Sequence, residues 1–240
     1  MTILVIPDVH LKPWMFRKAE EIMEQYHPAR VVCLMDIPDD WKQEFNLDLY
    51  EETYDTAIRF AKTYPDTLWC YGNHDICYVW RQLESGYSPV AAGLVREKLE
   101  MLRQALPSEE QLTFMHRIDN VLFSHAGLSQ AFVNKHVPEE DRTDTDHVIQ
   151  TINSFSVVEL WKEDSPIWLR PQIRLEPMFR EDTLLQVVGH TPVTKITKQE
   201  HVISCDVFST YRDGSPIGTE EFLMLDTETF EYQGVPGSSS

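Results

Sequence analysis

Acidic and imidazole side chains follow apolar, strand-like segments at five places along this 240-residue chain. The first is ILVIPDVH, in which the apolar run Ile3–Pro7 ends immediately before Asp8-Val9-His10. The other four segments end at Asp36, at Gly72-Asn73-His74-Asp75, at His125 and at His190. Ligands of open α/β sheets bind outside the carboxyl ends of the strands. We therefore expect these five segment ends to converge on one site.

The side chains at these ends offer oxygen and imidazole donors without a thiolate, a set that suits Mn, Fe, Zn or Ni. One carboxylate such as Asp36 can bridge two ions about 3.5–4 Å apart, and such a pair generates hydroxide near neutral pH. A single Asp-x-His or a lone histidine at a strand end is more often structural. Five successive ends of this kind favour a site for two divalent metal ions, with Mn²⁺ as the first choice.

Strands and helices alternate in the part of the chain that carries the first three ends. The pattern predicts strands over Ile3–Pro7, Ala29–Asp36 and Asp66–Asp75, the last running into a Gly-Asn turn, and helices over Phe16–Tyr26 and Leu47–Tyr64. This βαβαβ half implies an α/β protein with right-handed crossovers and a parallel sheet core.

The remaining chain shows no repeat and no linker. It predicts a helix over Val90–Leu106, a hairpin turning at Ile118-Asp119-Asn120, a helix over His147–Lys162 and a strand-rich last third. We expect one domain over residues 1–233 and a flexible tail over 234–240.

The chain is strongly acidic, with a formal net charge of −18 at pH 7. Such a surface argues against non-specific binding to nucleic acid or anionic membranes. A phosphate substrate is still compatible with it, because bound metal ions can be the largest local charges in a site. The four cysteines lack CxxC spacing and no stretch approaches about 18 apolar residues, which predicts a cytoplasmic protein without a membrane partner.

The five blocks resemble, in order and approximate spacing, those of the calcineurin-like metallophosphoesterases. SHAGL and GHTP, around His125 and His190, are similar to the phosphoprotein phosphatase branch, especially to lambda-type serine/threonine phosphatases of bacteria and bacteriophage and to diadenosine tetraphosphatases. The resemblance spans roughly Ile3 to Leu225. It implies a β-sandwich of two mixed sheets flanked by helices.

The resemblance also implies a role for each matching residue. Six residues would hold two metal ions, with Asp36 bridging them: Asp8, His10, Asp36, Asn73, His125 and His190. His74 would protonate the leaving oxygen, and Asp39 would orient the His74 ring. Arg170, in PIWLRP, would grip the phosphate. Trp14 and Trp41 follow the first two blocks closely, so either could line the substrate mouth.

Two positions depart from the family pattern. Met35 stands where the family has a glycine, so the backbone there must tolerate a side chain. Asp40 replaces an arginine that normally contacts substrate phosphate, and its carboxylate would repel a phosphate dianion unless it is turned away or protonated. Lys12, near the first block, is a candidate source of replacement charge.

Together these features predict a dinuclear-metal phosphoesterase that uses in-line attack of a metal-bridging hydroxide. A serine/threonine protein phosphatase is the leading interpretation, with a phosphorylated substrate, either a phosphoprotein or a nucleotide, as the partner and no predicted oligomeric state. A nucleotide or dinucleoside polyphosphate hydrolase is the first alternative. A non-catalytic metal- or phosphate-binding module, suggested by Met35 and Asp40, is the second.

Overall fold

The computed structural model describes residues 1–173 and 176–237, and within them it shows two mixed β-sheets flanked by helices. The strands are β1 (Thr2–Ile6), β2 (Arg30–Cys33), β3 (Leu68–Cys70), β4 (Leu112–Thr113), β5 (Met115–Ile118), β6 (Val121–Ser124), β7 (Leu185–Val188), β8 (Thr197–Gln199), β9 (Val202–Ser204), β10 (Glu221–Asp226) and β11 (Tyr232–Pro236). The helices are α1 (Trp14–Tyr26), α2 (Leu47–Thr63), α3 (Asn73–Trp80), α4 (Ala92–Ala105), α5 (Gln130–His136), α6 (Thr145–Asn153) and α7 (Val157–Leu160).

The first sheet has the order β11-β10-β1-β2-β3-β4. β1 to β4 are parallel neighbours, whereas β10 pairs antiparallel with both β1 and β11. The second sheet has the order β5-β6-β7-β9-β8, with parallel pairing of β6, β7 and β9. The parallel βαβαβ half and the two mixed sheets are therefore confirmed.

The two sheets share one hydrophobic core. Val5 and Val32 of the first sheet belong to the same buried cluster as Val187 and Ile203 of the second. Every residue of β1 from Ile3 onward is fully buried, as is typical of parallel strands covered on both faces. The carboxyl ends of the central strands are thus held by rigid, desolvated elements.

The helices cover the sheets with their apolar faces. Phe16 of α1 lies 5.7 Å from the ring of Phe60 in α2 and 5.9 Å from that of Trp69 in β3. Phe132 of α5 and Ile152 of α6 pack with the second sheet in a separate cluster. Across the described residues, the helices are all too short or too polar to cross a bilayer.

Several predicted boundaries change. The Gly-Asn segment is the start of helix α3 and not a turn, because Asp75 accepts a hydrogen bond from the backbone of Gly72 and caps the first helical turn. The helix expected over His147–Lys162 is divided into α6 and α7, because Ser156 and Glu159 form a capping box that starts a new helix.

The tail predicted over 234–240 is also corrected. Gly234, Val235 and Pro236 pair with β10 as part of β11, so the sheet extends past the predicted boundary at 233. Residues 238–240 lie outside the described residues.

Candidate metal centre

The loops that follow β1 and β2 run side by side beyond the ends of the strands. Val9 N donates to Met35 O at 2.9 Å, and His10 N donates to Asp36 O at 2.8 Å. His10, Met35 and Asp36 have φ values of 42°, 58° and 42°, in the left-handed region. This paired, curled path brings Asp8 and His10 beside Asp36.

Asp36 belongs to two groups of ligand atoms. The donor atoms of Asp8, His10 and Asp36 lie within 4.8 Å of one another, and so do those of Asp36, His125 and His190. Asn73 Oδ1 adds to the second group, since it lies 3.0 Å from His125 Nε2. All six predicted ligands therefore meet at one place, with Asp36 at the position that a bridging carboxylate requires.

Backbone carbonyls fix the rings of two of these histidines. His125 Nδ1 lies 3.1 Å from Leu34 O, and His10 Nδ1 lies 2.9 Å from Asp39 O. A carbonyl accepts only, so in both rings Nδ1 carries a hydrogen and Nε2 is the atom that faces a metal ion when it is deprotonated. Both Nε2 atoms face Asp36 Oδ2, at 3.1 Å from His125 and 3.9 Å from His10.

The buried groups of the site fit a divalent metal pair. Asp8 Oδ1 and His190 Nε2 are buried and have no hydrogen-bond partner within the described part of the chain. Burial and the neighbouring Asp206 raise the pKa of Asp8 well above its usual range. Burial and His125 lower the pKa of His190 far below its usual value, which leaves that ring neutral. A bound cation would stabilise these clustered carboxylates and would pair with the oxygen and nitrogen atoms that lack a hydrogen-bond partner.

His74 differs from the ligand histidines in its surroundings. Its Nδ1 lies 3.0 Å from Asp39 Oδ2, and the other oxygen of Asp39 accepts from Tyr50 at 2.7 Å and Tyr78 at 2.5 Å. Burial lowers the pKa of His74, but Asp36, Asp39 and Glu84 outweigh it and raise the pKa to about 10. The structure thus places a well-anchored imidazole with a raised pKa beside the ligand groups and outside both of them.

A cavity of about 450 Å³ opens over these groups, and His74, His190 and Arg170 are among its lining residues. Arg170 Nη1 donates to Thr191 Oγ1 at 3.1 Å, which holds the guanidinium at the cavity wall. Trp41 also lines the cavity. Trp14 packs on Phe208 at 5.7 Å and is not among the described lining residues, so Trp41 is the one of the two candidates that lines the cavity.

Asp40 forms an ion pair with Lys12. Lys12 Nζ lies 3.2 Å from Asp40 Oδ2, and the other oxygen of Asp40 accepts from Thr210 at 2.8 Å. The same ammonium donates to His10 O at 3.1 Å. Lys12 is therefore an internal partner of Asp40 and is not among the described lining residues of the cavity, so its charge is directed to Asp40 and not to a phosphate. Pairing reduces the repulsion that the replacement of arginine implied.

Met35 tolerates its left-handed backbone because its side chain is fully buried in the core. The conformation costs roughly 1–2 kcal/mol for a residue with a Cβ. Burial of a methionine side chain contributes about 1.5–3 kcal/mol. The packing of the Met35 side chain thus offsets the conformational cost of placing a residue other than glycine at this position.

Three acidic residues of the site were not predicted. Asp206, 1% exposed, follows β9, and its carboxylate accepts from Ser209 Oγ at 3.0 Å. Asp75 accepts from the backbone of Asp36 at 2.8 Å. Glu84 accepts from Asn73 Nδ2 at 2.7 Å. Asp206 had a sequence signal, since HVISCD is a sixth apolar segment that ends in a carboxylate, whereas Glu84 lies in a polar loop without one.

Comparison with known proteins agrees with this geometry. The family model described as calcineurin-like phosphoesterase matches residues 1–218. No curated protein sequence matches the chain closely enough to count as a relative.

Solved structures show a similar fold at low sequence identity. The cold-active protein-tyrosine phosphatase of a psychrophile, Shewanella sp., is 14% identical with a TM-score of 0.59, and the match covers 97% of this chain and 80% of that one. An archaeal phosphodiesterase is 18% identical with a TM-score of 0.45, over 98% of this chain and 99% of that one. At such identities the likeness to the phosphatase concerns the fold alone.

Proposed function

This chain belongs to the calcineurin-like phosphoesterase family. We propose that it hydrolyses the phosphomonoester groups of phosphoserine and phosphothreonine with the help of two divalent metal ions, of which Mn²⁺ is favoured. Membership of the family makes it a metal-dependent phosphoester hydrolase and not a non-catalytic binding module. One observation carries the proposal. Two ligand groups share Asp36 directly beneath a cavity that also contains His74 and Arg170.

Asp8, His10 and Asp36 would hold one metal ion, and Asp36, Asn73, His125 and His190 the other. Bound divalent ions supply Lewis-acid stabilisation of phosphoryl oxygens and lower the pKa of water. The protein contributes rigidity, since Leu34 and Asp39 carbonyls fix two of the imidazoles.

Arg170 and His74 are proposed to act on different oxygen atoms of the phosphoryl group. A guanidinium held at the cavity wall donates to equatorial oxygens, where charge develops in the transition state. His74 donates a proton to the leaving oxygen of the substrate, which would otherwise depart as an alkoxide. Asp39 keeps the ring in place, with two tyrosine hydroxyls holding that carboxylate in turn.

The charge of the cavity supports a monoester. Arg170 is the one arginine or lysine among its described lining residues, whereas Asp39, Asp40 and Glu84 contribute carboxylates. A single phosphoryl group can be matched by the metal ions and one guanidinium. A polyphosphate chain would extend its further negative charges towards the carboxylates.

Nucleotides and dinucleoside polyphosphates form the second candidate class of substrate, and the position of Trp41 in the cavity favours them. Its ring lines the cavity, is 39% exposed and has the guanidinium of Arg212 at 4.9 Å from its centroid. An exposed indole beside a cation can stack on a nucleobase.

A product analysis in Mn²⁺ separates the two classes. The full chain is incubated with phosphoserine, phosphothreonine and phosphotyrosine peptides, diadenosine tetraphosphate and p-nitrophenyl phosphate, and kcat/KM is compared for each. We expect the phosphoserine and phosphothreonine peptides to be the best substrates. A preference for diadenosine tetraphosphate would overturn the monoester assignment, and a lack of turnover of all five would refute the proposed activity. Asp36→Asn is the inactive control.

The cytoplasmic location stays a prediction, as does the expectation of no membrane or non-specific nucleic-acid partner.

A further inference from the structure

Glu84 reaches the site from the loop between α3 and α4. Its side chain is 6% exposed and lines the cavity. Oε2 accepts a hydrogen bond from Asn73 Nδ2 at 2.7 Å, and Oε1 lies 3.4 Å from His74 Nδ1. The segment that carries Glu84 is unrelated in sequence to the five strand ends.

The loop is anchored tightly enough to fix this carboxylate. Ser88 N donates to Tyr78 Oη at 2.8 Å, and Ser88 Oγ donates to Glu44 O at 2.5 Å. Gly86, with φ of 92°, passes so close to the site that a Cβ there would lie 3.3 Å from His74 Cε1. Glu84 therefore lies on a segment whose position is fixed by the hydrogen bonds of Ser88.

Asn73 needs a fixed amide orientation to serve as a ligand. The two ends of an amide have nearly the same shape, but only the oxygen can bind a cation. On the site side of Asn73 lie His125 Nε2, at 3.0 Å, and next to it Asp36 Oδ2, at 3.1 Å from that nitrogen. Asp36 Oδ2 is an acceptor, and His125 Nε2 becomes one in the deprotonated form that binds a metal ion. In that form an unrestrained Asn73 would turn its NH₂ group towards them and present a donor where a cation should bind.

We propose that Glu84 is a positioning residue that holds the Asn73 amide with its oxygen directed into the metal site. An ionised carboxylate only accepts hydrogen bonds, so it can pair with the NH₂ end and not with the oxygen. The inference rests on the proposed role of Asn73 as a ligand. Glu84 itself acts through Asn73, as an outer residue that orients a metal ligand.

Mn²⁺ affinity of the metal-free protein measures this role without any activity assay. Full-length protein stripped with EDTA is titrated with Mn²⁺ in a calorimeter, and the weaker Kd is compared among variants. Glu84→Ala is expected to weaken this Kd about 10–100-fold, the usual effect of removing such an outer partner. Glu84→Gln retains an acceptor for the Asn73 NH₂ group and should recover at least half of that loss on a logarithmic scale.

Asn73→Asp distinguishes orientation from a general structural effect. A carboxylate offers two equivalent oxygens, so its orientation no longer matters. Glu84→Ala should therefore cost at least fivefold less Mn²⁺ affinity in the Asp-substituted background than in the native one. Equal losses in the two backgrounds would show that Glu84 does not act through the amide.

Two further variants keep the interpretation unambiguous. Leu83→Ala, at a neighbouring side chain that is 79% exposed, should leave Kd unchanged. Asn73→Ala should weaken Kd, and if it does not, the proposed ligand role of Asn73 fails. If Asn73→Ala weakens Kd and Glu84→Ala does not, only the role of Glu84 is refuted. Thermal unfolding in EDTA identifies any variant whose fold is lost, and Glu84→Gln then carries the comparison.

Discussion

Three histidines of the site differ in the group that accepts a hydrogen bond from their Nδ1. For His10 and His125 the acceptor is a neutral backbone carbonyl, whereas for His74 it is the carboxylate of Asp39. A carbonyl orients the ring so that Nε2 faces the other ligand atoms. The carboxylate of Asp39 orients the His74 ring and adds to the stabilisation of its imidazolium. The Nδ1 acceptor thus distinguishes two proposed metal ligands from the proposed proton donor.

His74→Gln tests this separation. The variant lacks the proposed proton donor, so kcat on a phosphoserine peptide, whose leaving group is an alkoxide, should fall about 10²–10⁴-fold. Both bound Mn²⁺ ions should remain, measured as metal-to-protein ratio after gel filtration, because the ring lies outside the two ligand groups. His147→Gln, at a side chain 49% exposed, is the matched control. Loss of one metal ion from His74→Gln would identify the residue as a ligand.

At the scale of elements, the strand ends pack so closely that two glycine positions have no room for a side chain. A Cβ on Gly72 would lie 1.9 Å from Asp36 Oδ1, and one on Gly189 would lie 1.8 Å from Asp8 Oδ1. Each carboxylate also accepts from the backbone just after the glycine it touches, from His74 N at 3.0 Å and His190 N at 2.8 Å. The strand ends therefore orient the carboxylates as well as supplying them.

Gly189→Ala should disrupt the first metal position. The added methyl group overlaps Asp8 and forces its carboxylate to move, so the affinity for one Mn²⁺ should fall by at least tenfold, as measured by calorimetric titration. Gly93→Ala is the control, since a Cβ there meets nothing within 4 Å. In helix α4 this change should raise the free energy of unfolding by about 0.5–1 kcal/mol. Unchanged Mn²⁺ binding by Gly189→Ala would argue against Asp8 as a ligand.

At the scale of the whole molecule, a buried histidine connects the two sheets. His116 of β5 donates from Nε2 to the backbone oxygen of Trp69 in β3 at 3.1 Å. Burial, only partly offset by its hydrogen bonds, lowers the pKa of His116 to about 4. The ring is neutral in the folded protein, whereas in the unfolded chain it gains a proton near its ordinary pKa of about 6.5.

Stability should consequently fall as the pH decreases from about 6.5 to 4. In this window the unfolded state binds the proton and the folded state does not, so protonation favours unfolding, by about 3 kcal/mol once complete. Urea unfolding of wild type and His116→Gln in EDTA at several pH values measures this. The difference in unfolding free energy between the two proteins should shrink steadily below pH 6.5. A difference independent of pH would show that His116 is not the titrating group.

Local pattern was sufficient for much of the chain. Apolar runs such as Ile3–Pro7 form strands because their side chains must be buried on both faces, and 3.6-residue periodicity identifies α1 and α2 because one face must be apolar. The topology of parallel strands then places Asp8, Asn73 and His125 at one edge of the sandwich. The sequence by itself thus determined the α/β class, the family likeness and which strand ends meet.

Tertiary structure alone decided what surrounds those ends. The pairing of Lys12 with Asp40 and the hydrogen bond from Asn73 to Glu84 join side chains that no short-range pattern connects. Asp75 likewise accepts a hydrogen bond from the backbone of Asp36, which lies in a separate loop of the chain. Such interactions depend on which loops become neighbours when the two sheets pack. Local propensity does not encode that information, since it comes from contacts between residues distant in the chain.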